Sequence, residues 1–142
     1  MIQIRPLLVR DYDAIVEVWR SAGLLYRPRG RDSRKSIAMQ LRTNRGLYLG
    51  AWEGGHLVGV VLATHDTRKG WINRLAVRPT DQRRGVAGRL VRAAERALTA
   101  RGIRLIAALV ERENLPSLRF FERLGYEVRP DHYVRKRFTR SV

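Results

Sequence analysis

The 142-residue chain contains no cysteine. That absence excludes disulfides, thiolate metal sites and any covalent cysteine intermediate, and it suits a reducing compartment. Lysine is nearly missing too: of 29 basic residues only 3 are lysine, and the others are arginine. No apolar run approaches the roughly 20 residues that span a bilayer. The N-terminal "MIQIRPLLVR" lacks the apolar stretch of a secretory signal. His56, His65 and His132 have no metal-ligand spacing. A soluble, cytoplasmic protein with no bound metal and no membrane partner is therefore expected. Repeats, low-complexity segments and linkers are lacking as well, so residues 1–142 read as one domain, long enough for a core.

What the chain has in excess is positive charge, +16 at neutral pH. Clustered cations suit nucleic acid, because contacts with phosphates release counterions. Here the arginines run from Arg5 to Arg140 and alternate with Asp and Glu, with no basic tail and no zinc-finger spacing. Nucleic acid is disfavoured as the main partner.

Periodicity predicts a mixed α/β order, β-α-α-β-β-β-α-β-α-β-β. "MIQIRPL" reads as a strand. "DYDAIVEVWRSAG" reads as a helix capped by Asp11 and stopped at Gly23. A basic loop, "LLYRPRGRDSR", leads to a second helix from Ser33, with Ile37, Met39 and Leu41 as its apolar residues. "GLYLGAWE" and "HLVGVVLATHD" form a hairpin around "EGG", and "GWINRLAVRP" is the next strand. In "AGRLVRAAERALTARG", Leu90, Val91, Ala94, Ala97 and Leu98 share one helix face, leaving Arg89, Arg92 and Arg96 wet. "IRLIAALV" is a short strand, "LPSLRFFERLG" a helix with Pro116 in its first turn, and "YEVRP" and "HYVRKRF" two closing strands.

The stretch "RPTDQRRGVAGRL", residues 78–90, carries the chemistry. A strand runs into a turn and then into a helix whose first N–H groups lack internal partners and carry the positive end of the helix dipole. Gly85, Ala87 and Gly88 leave room for a ligand oxygen, and Arg83 and Arg84 add cations: a cradle for a diphosphate. A Walker-type loop is excluded because Arg89-Leu90, not Lys-Ser/Thr, follows Gly88. A dinucleotide fingerprint would need a third glycine. By the residues alone, glycines that serve packing and arginines that are merely solvated would fit equally.

Two motifs together carry a resemblance. "QRRGVA" is similar to the pyrophosphate loop of GNAT-type N-acetyltransferases at Gln82, Gly85 and Ala87, and "LAV" precedes "RP" as in many members. "NLPSLRFFERLGYE" resembles the family's downstream segment at Asn114, Ser117, Phe120, Gly125 and Tyr126. The likeness is strong over residues 72–128 and extends by element order to nearly the whole chain. It implies the GNAT acyl-CoA N-acyltransferase fold: a central, mostly antiparallel sheet with one splayed parallel strand pair, and helices on both faces. It implies acetyl-CoA as co-substrate, lying between strands near residues 72–77 and 103–110. Leu75, Ala76 and Val77 would pair with the pantetheine arm, with an N–H near Ala76 or Val77 polarising the thioester. Gln82, Arg83, Arg84, Gly85, Val86, Ala87 and Gly88 would hold the diphosphate, and Phe121 would border the site. Asn114 would bond the pantetheine arm or orient the acceptor, and it is equally a good helix N-cap.

The sequence departs from the family where acid and base are expected. Phe121 stands at the usual tyrosine, and Trp71 and Leu109 stand at positions where groups of members carry acids. Water carrying the protons, Asp66 or Glu111 acting through water, or a slow or narrow enzyme are the three readings left open. The acceptor would be a small-molecule amine or a protein amino group, met by Tyr26, Arg27, Arg29 and Arg31 of the basic loop if those face inward. A solvated basic loop fits those residues as well. The competing function is a catalytically weak CoA-binding or basic nucleic-acid/protein-interaction module on the same fold, and the alternative among enzymes is a protein N-terminal or lysine acetyltransferase. The chain is expected as a monomer or homodimer.

Overall fold

The computed structural model describes residues 1–140. Five strands form one sheet in the order β1-β2-β3-β4-β5. These are β1 (Gln3–Pro6), β2 (Tyr48–Glu53), β3 (His56–His65), β4 (Gly70–Val77) and β5 (Ile106–Ala108). The first four pair antiparallel, and β4 pairs with β5 in parallel. Helices α1 (Tyr12–Ser21) and α2 (Arg34–Thr43) cover one face, and α3 (Val86–Thr99) and α4 (Leu115–Arg123) the other. The mixed sheet with one parallel pair is the expected architecture.

Period-two alternation sorts the core. In β3, Val61 and Ala63 pack with Leu90, Val91, Ala94 and Leu98 of α3, whereas Val60 and Leu62 pack with Ile15, Val18 and Trp19 of α1. Each larger buried side chain contributes about 2 kcal/mol by leaving water. Gly54 and Gly55, both at positive φ, make the two-residue turn between β2 and β3. Gly59 serves differently: a Cβ there would lie 3.1 Å from both Leu90 Cδ1 and Val86 Cγ1, so its bare backbone lets α3 settle on the sheet.

Several expectations are corrected. Asp11 is the N-cap residue of α1, yet its carboxylate accepts from the Leu8 N–H instead of from the helix. The second helix starts where expected, with Ser33 as its N-cap accepting from the Ser36 N–H, but Met39 is 55% exposed and leaves the apolar face to Ile37 and Leu41. The strand expected over "IRLIAALV" is regular only at Ile106–Ala108. No strand forms over "YEVRP" or "HYVRKRF". Pro130 removes a donor there, charges interrupt the alternation, and Val128, Tyr133, Val134 and Phe138 stay exposed with no apolar face to meet.

Among the described residues no helix is long and apolar enough to cross a membrane.

Candidate functional site

Strands β4 and β5 run together for three register positions, Gly70 to Ile106, Trp71 to Ala107 and Ile72 to Ala108, and pair no further. Beyond Ile72, the side of β4 that faced β5 opens into a cleft of about 590 Å³. Ile72, Asn73, Arg74 and Leu75 form one wall, and Ala108, Leu109, Val110 and Glu111 the other. Asn114, Ser117 and Phe121 of the α4 region border it, and Tyr133 reaches it from the C-terminal segment.

A β-bulge deforms β4 at this point. Ala76 pairs with Val60 and Asn73 with Leu62, so Arg74 and Leu75 together oppose Val61. Arg74 takes the left-handed conformation at φ 54°, which disfavours a non-glycine residue by roughly 1 kcal/mol. The bulge also inverts side-chain parity. Ile72 packs on the α3 side, but Ala76 packs on the α1 side, as does Arg74, whose Cζ lies 4.4 Å from the centre of the Trp19 ring.

The turn from β4 into α3 carries the residues of the expected cradle and leaves backbone N–H groups at its end. Gln82 Nε2 donates to Val77 O at 3.2 Å and ties the turn to its strand. Arg83 and Gly85 both have positive φ, and Gly85 is an N-cap without a side-chain cap. The opening N–H groups of α3, at Val86, Ala87 and Gly88, therefore have no protein acceptor supplied by a cap. Space beside Gly85 and Gly88 is open: a Cβ at either would meet nothing within 4 Å. The two arginines differ. Arg84 is held by Glu53, at 2.9 and 2.7 Å, and by Asp81, at 2.7 Å, so it is a fixed, neutralised cation and not the mobile one expected. The Arg84 guanidinium holds the Glu53 carboxyl down to about 2. Arg83 is exposed and has no hydrogen-bond or ion-pair partner among the described residues.

Asn114 caps α4, its Oδ1 accepting from the Ser117 N–H at 3.2 Å, while it also borders the cleft. Phe121 is buried with edge contacts to Phe120 and Tyr126, both at 5.1 Å between ring centres. Asp66 lies elsewhere. Its Oδ1 accepts from the N–H groups of Arg68 and Lys69, at 2.9 and 2.7 Å, closing the β3–β4 turn. Those bonds lower its pKa, and it does not line the cleft. In the basic loop, Tyr26 packs on Trp19 at 6.4 Å, Arg29 is exposed, and neither they nor Arg27 lines the cleft.

On the α1–α2 side of the cleft the sequence reading named only Arg31, which does line it. Asp32, Gln40, Tyr48 and Arg74 line it as well. Asp32 is 5% exposed, and its Oδ2 accepts from the Arg27 N–H at 2.7 Å. Tyr48 donates to Gln40 Oε1 at 2.8 Å, and burial pushes its hydroxyl up to about 12. A charged residue inside the strand "INRLAV" is the available signal, but strict alternation puts it on the same face as Ile72, and the bulge that moves it to the other is silent in sequence.

Residues 9–126 match the model of the acetyltransferase (GNAT) family. A PaiA N-acetyltransferase from Thermoplasma acidophilum, solved in complex with coenzyme A, superposes with a TM-score of 0.82 at 22% identity, covering 93% of each chain. The aminoglycoside N-acetyltransferase AAC(6')-Iy, in complex with a bisubstrate analogue, gives 0.79 at 20% identity over 96% of this chain and 99% of its own. The ribosomal-protein-S18-alanine N-acetyltransferase from Escherichia coli gives 0.72 at 22% identity, covering 88% of this chain and 77% of its own.

Proposed function

The chain belongs to the acetyltransferase (GNAT) family, and from that premise we propose that it transfers the acetyl group of acetyl-CoA to a primary amine within a ternary complex. The observation that carries this reading is the parting of β4 from β5 after three paired positions, directly before the uncapped start of α3. Residues and ligand fit: unpaired strand edge suits an amide-bearing arm, and free helix N–H groups suit a diphosphate.

In this reading Leu75, Ala76 and Val77 present backbone groups to the pantetheine arm. The N–H groups from Gly85 to Gly88 hold the diphosphate, with Gln82 fixing the turn and Arg83 as the mobile cation. An N–H near Ala76 or Val77 stabilises the developing oxyanion. Asn114 keeps its capping role and offers its side chain to the arm, and Phe121 walls the thioester end. Acetyl-CoA supplies the acyl carbon: the amine nitrogen bonds to it, the carbon–sulfur bond breaks, and the amine proton is released to water or to the departing thiolate.

Proton movement falls to water, and of the two candidate carboxylates only Glu111 lines the cleft, where it is placed to pass a proton through that water. Asp66 is committed to its turn, and Tyr48, with a hydroxyl at about 12, is no base at neutral pH. The leaving thiolate, with a pKa of roughly 8–9, needs little help. The acceptor amine, with a pKa near 10 for an alkylamine, must arrive neutral or shed its proton to solvent, so rates should climb with pH above neutrality.

The missing acid and base support a second reading, a CoA-binding module without turnover. Calorimetric titration with acetyl-CoA, followed by thiol release over a panel of amines, separates them. Binding with turnover supports the transferase, binding without turnover on any amine supports the module, and no binding at millimolar ligand defeats both.

A further inference from the structure

Arg74 joins three features that do not favour a purely structural side chain. It holds a left-handed backbone where glycine would sit without strain. Its Nε and Nη2 are buried and have no hydrogen-bond partner among the described residues. The nearest carboxylate, Asp32, stands 3.8 Å from Nη2, beyond hydrogen-bond reach, with Oδ2 already taken by the Arg27 N–H. Trp19 closes one face of the guanidinium, and the residue fronts the cleft. Burial lowers its pKa, Asp32 opposes that shift, and Arg31 adds to it.

Resting on the acetyl-transfer reading above, we propose that Arg74 recognises the acceptor, and that the acceptor is an amine carrying a carboxylate. A half-buried guanidinium with unused donors is stabilised by an anion brought to it, and its planar fork matches a carboxylate. Asp32 offsets part of the charge, so a monoanion suits the site better than a doubly charged phosphate. Arg31, on the same wall, adds a second cation. A polyamine would instead set its ammonium groups against a poorly solvated guanidinium. An amino acid meets the wall with the opposite sign and keeps its amine free for the thioester.

The test measures acetyl transfer to amino acids paired with their carboxamides, and to a linear polyamine. The amide's amine is the less protonated at neutral pH, so chemistry alone favours the amide. The expected result is a kcat/KM at least tenfold higher for the carboxylates in the wild type. That ratio falls to parity or below in Arg74→Gln and is partly kept in Arg74→Lys, with acetyl-CoA affinity unchanged in both. Amides or the polyamine equal to the carboxylates in the wild type, or a ratio that survives Arg74→Gln, would overturn the proposal. If Arg74→Gln fails to fold, the wild-type ratio and Arg74→Lys decide. Should no amine of any class release thiol, the acetyl-transfer reading fails by itself. The Arg74 site is then read by titrating CoA-loaded protein with N-acetyl amino acids and their amides: carboxylate-selective binding upholds it, and its absence refutes it.

Discussion

In the turn before α3 the groups proposed to recognise a ligand are backbone N–H groups from one continuous stretch, residues 82–88. At the α1–α2 end they are side chains from separate segments: Arg31 and Asp32 in a loop, Gln40 on a helix, Tyr48 and Arg74 on two strands. The first end is generic, since any anion of the right size can use main-chain donors. The second is particular, since its charges were brought together only by folding. The comparison teaches where to look for each property. Under the proposed function, affinity for acetyl-CoA rests with the main chain and choice of acceptor with the assembled side chains.

Four measurements would break or sharpen that contrast. The largest effect is expected from Gly88→Glu. No atom stands within 4 Å of a Cβ at this position, so the fold should hold. A carboxylate in the first turn of α3 should keep or raise the melting temperature while weakening acetyl-CoA at least 100-fold, about 2.7 kcal/mol by calorimetry. Equal affinity would show that the helix start is not where the anion binds.

Next comes Asp32→Asn, at the other end. It removes the carboxylate charge beside Arg74 and leaves a half-buried cation with less compensation. Chemical denaturation should show a loss of roughly 1–3 kcal/mol, with acetyl-CoA affinity intact. A parallel loss of coenzyme binding would mean the two ends are one cooperative unit.

The paired arginines give a smaller effect. Arg83→Ala should weaken acetyl-CoA about threefold to tenfold, and Arg84→Ala less than threefold, because Arg84 already serves Glu53 and Asp81. Carboxyl NMR supplies the check. Glu53 should titrate near 2 in the wild type and move toward its ordinary 4.5 without Arg84. Its folded pKa is depressed, so the pair's small stabilisation is complete above about pH 4.5 and fades as pH falls toward 2. Reversed ranks for the two variants would restore Arg84 as a ligand.

The smallest change is expected of Phe121→Tyr. If water suffices for the protons, steady-state kcat should move by less than tenfold; a larger gain would expose a missing acid.

How much of this was legible in the sequence follows from locality. The turn and the start of α3 could be read because Gln82, Gly85 and Ala87 lie within six positions, and a helix start needs no distant partner. The layers could be read from alternation in β3 and from the apolar face of α3. Arg74 could not, because a bulge leaves no residue-level mark and reverses which side the arginine takes. Arg84 misled for the opposite reason: its partner Glu53 lies 31 residues away and only the fold unites them. The two closing strands were read from alternation alone, but a strand needs an edge and an apolar face as well as a pattern.

Gly59 has a bearing that reaches past the core. It supports the opening turn of α3, and one added carbon would press against Val86, the residue on which that helix begins. Position 59 thus acts as a shim, fixing how high the loop rides above its strand. A buried alanine there, remote from any bound molecule, would detune the grip on a nucleotide while leaving every gripping residue in place.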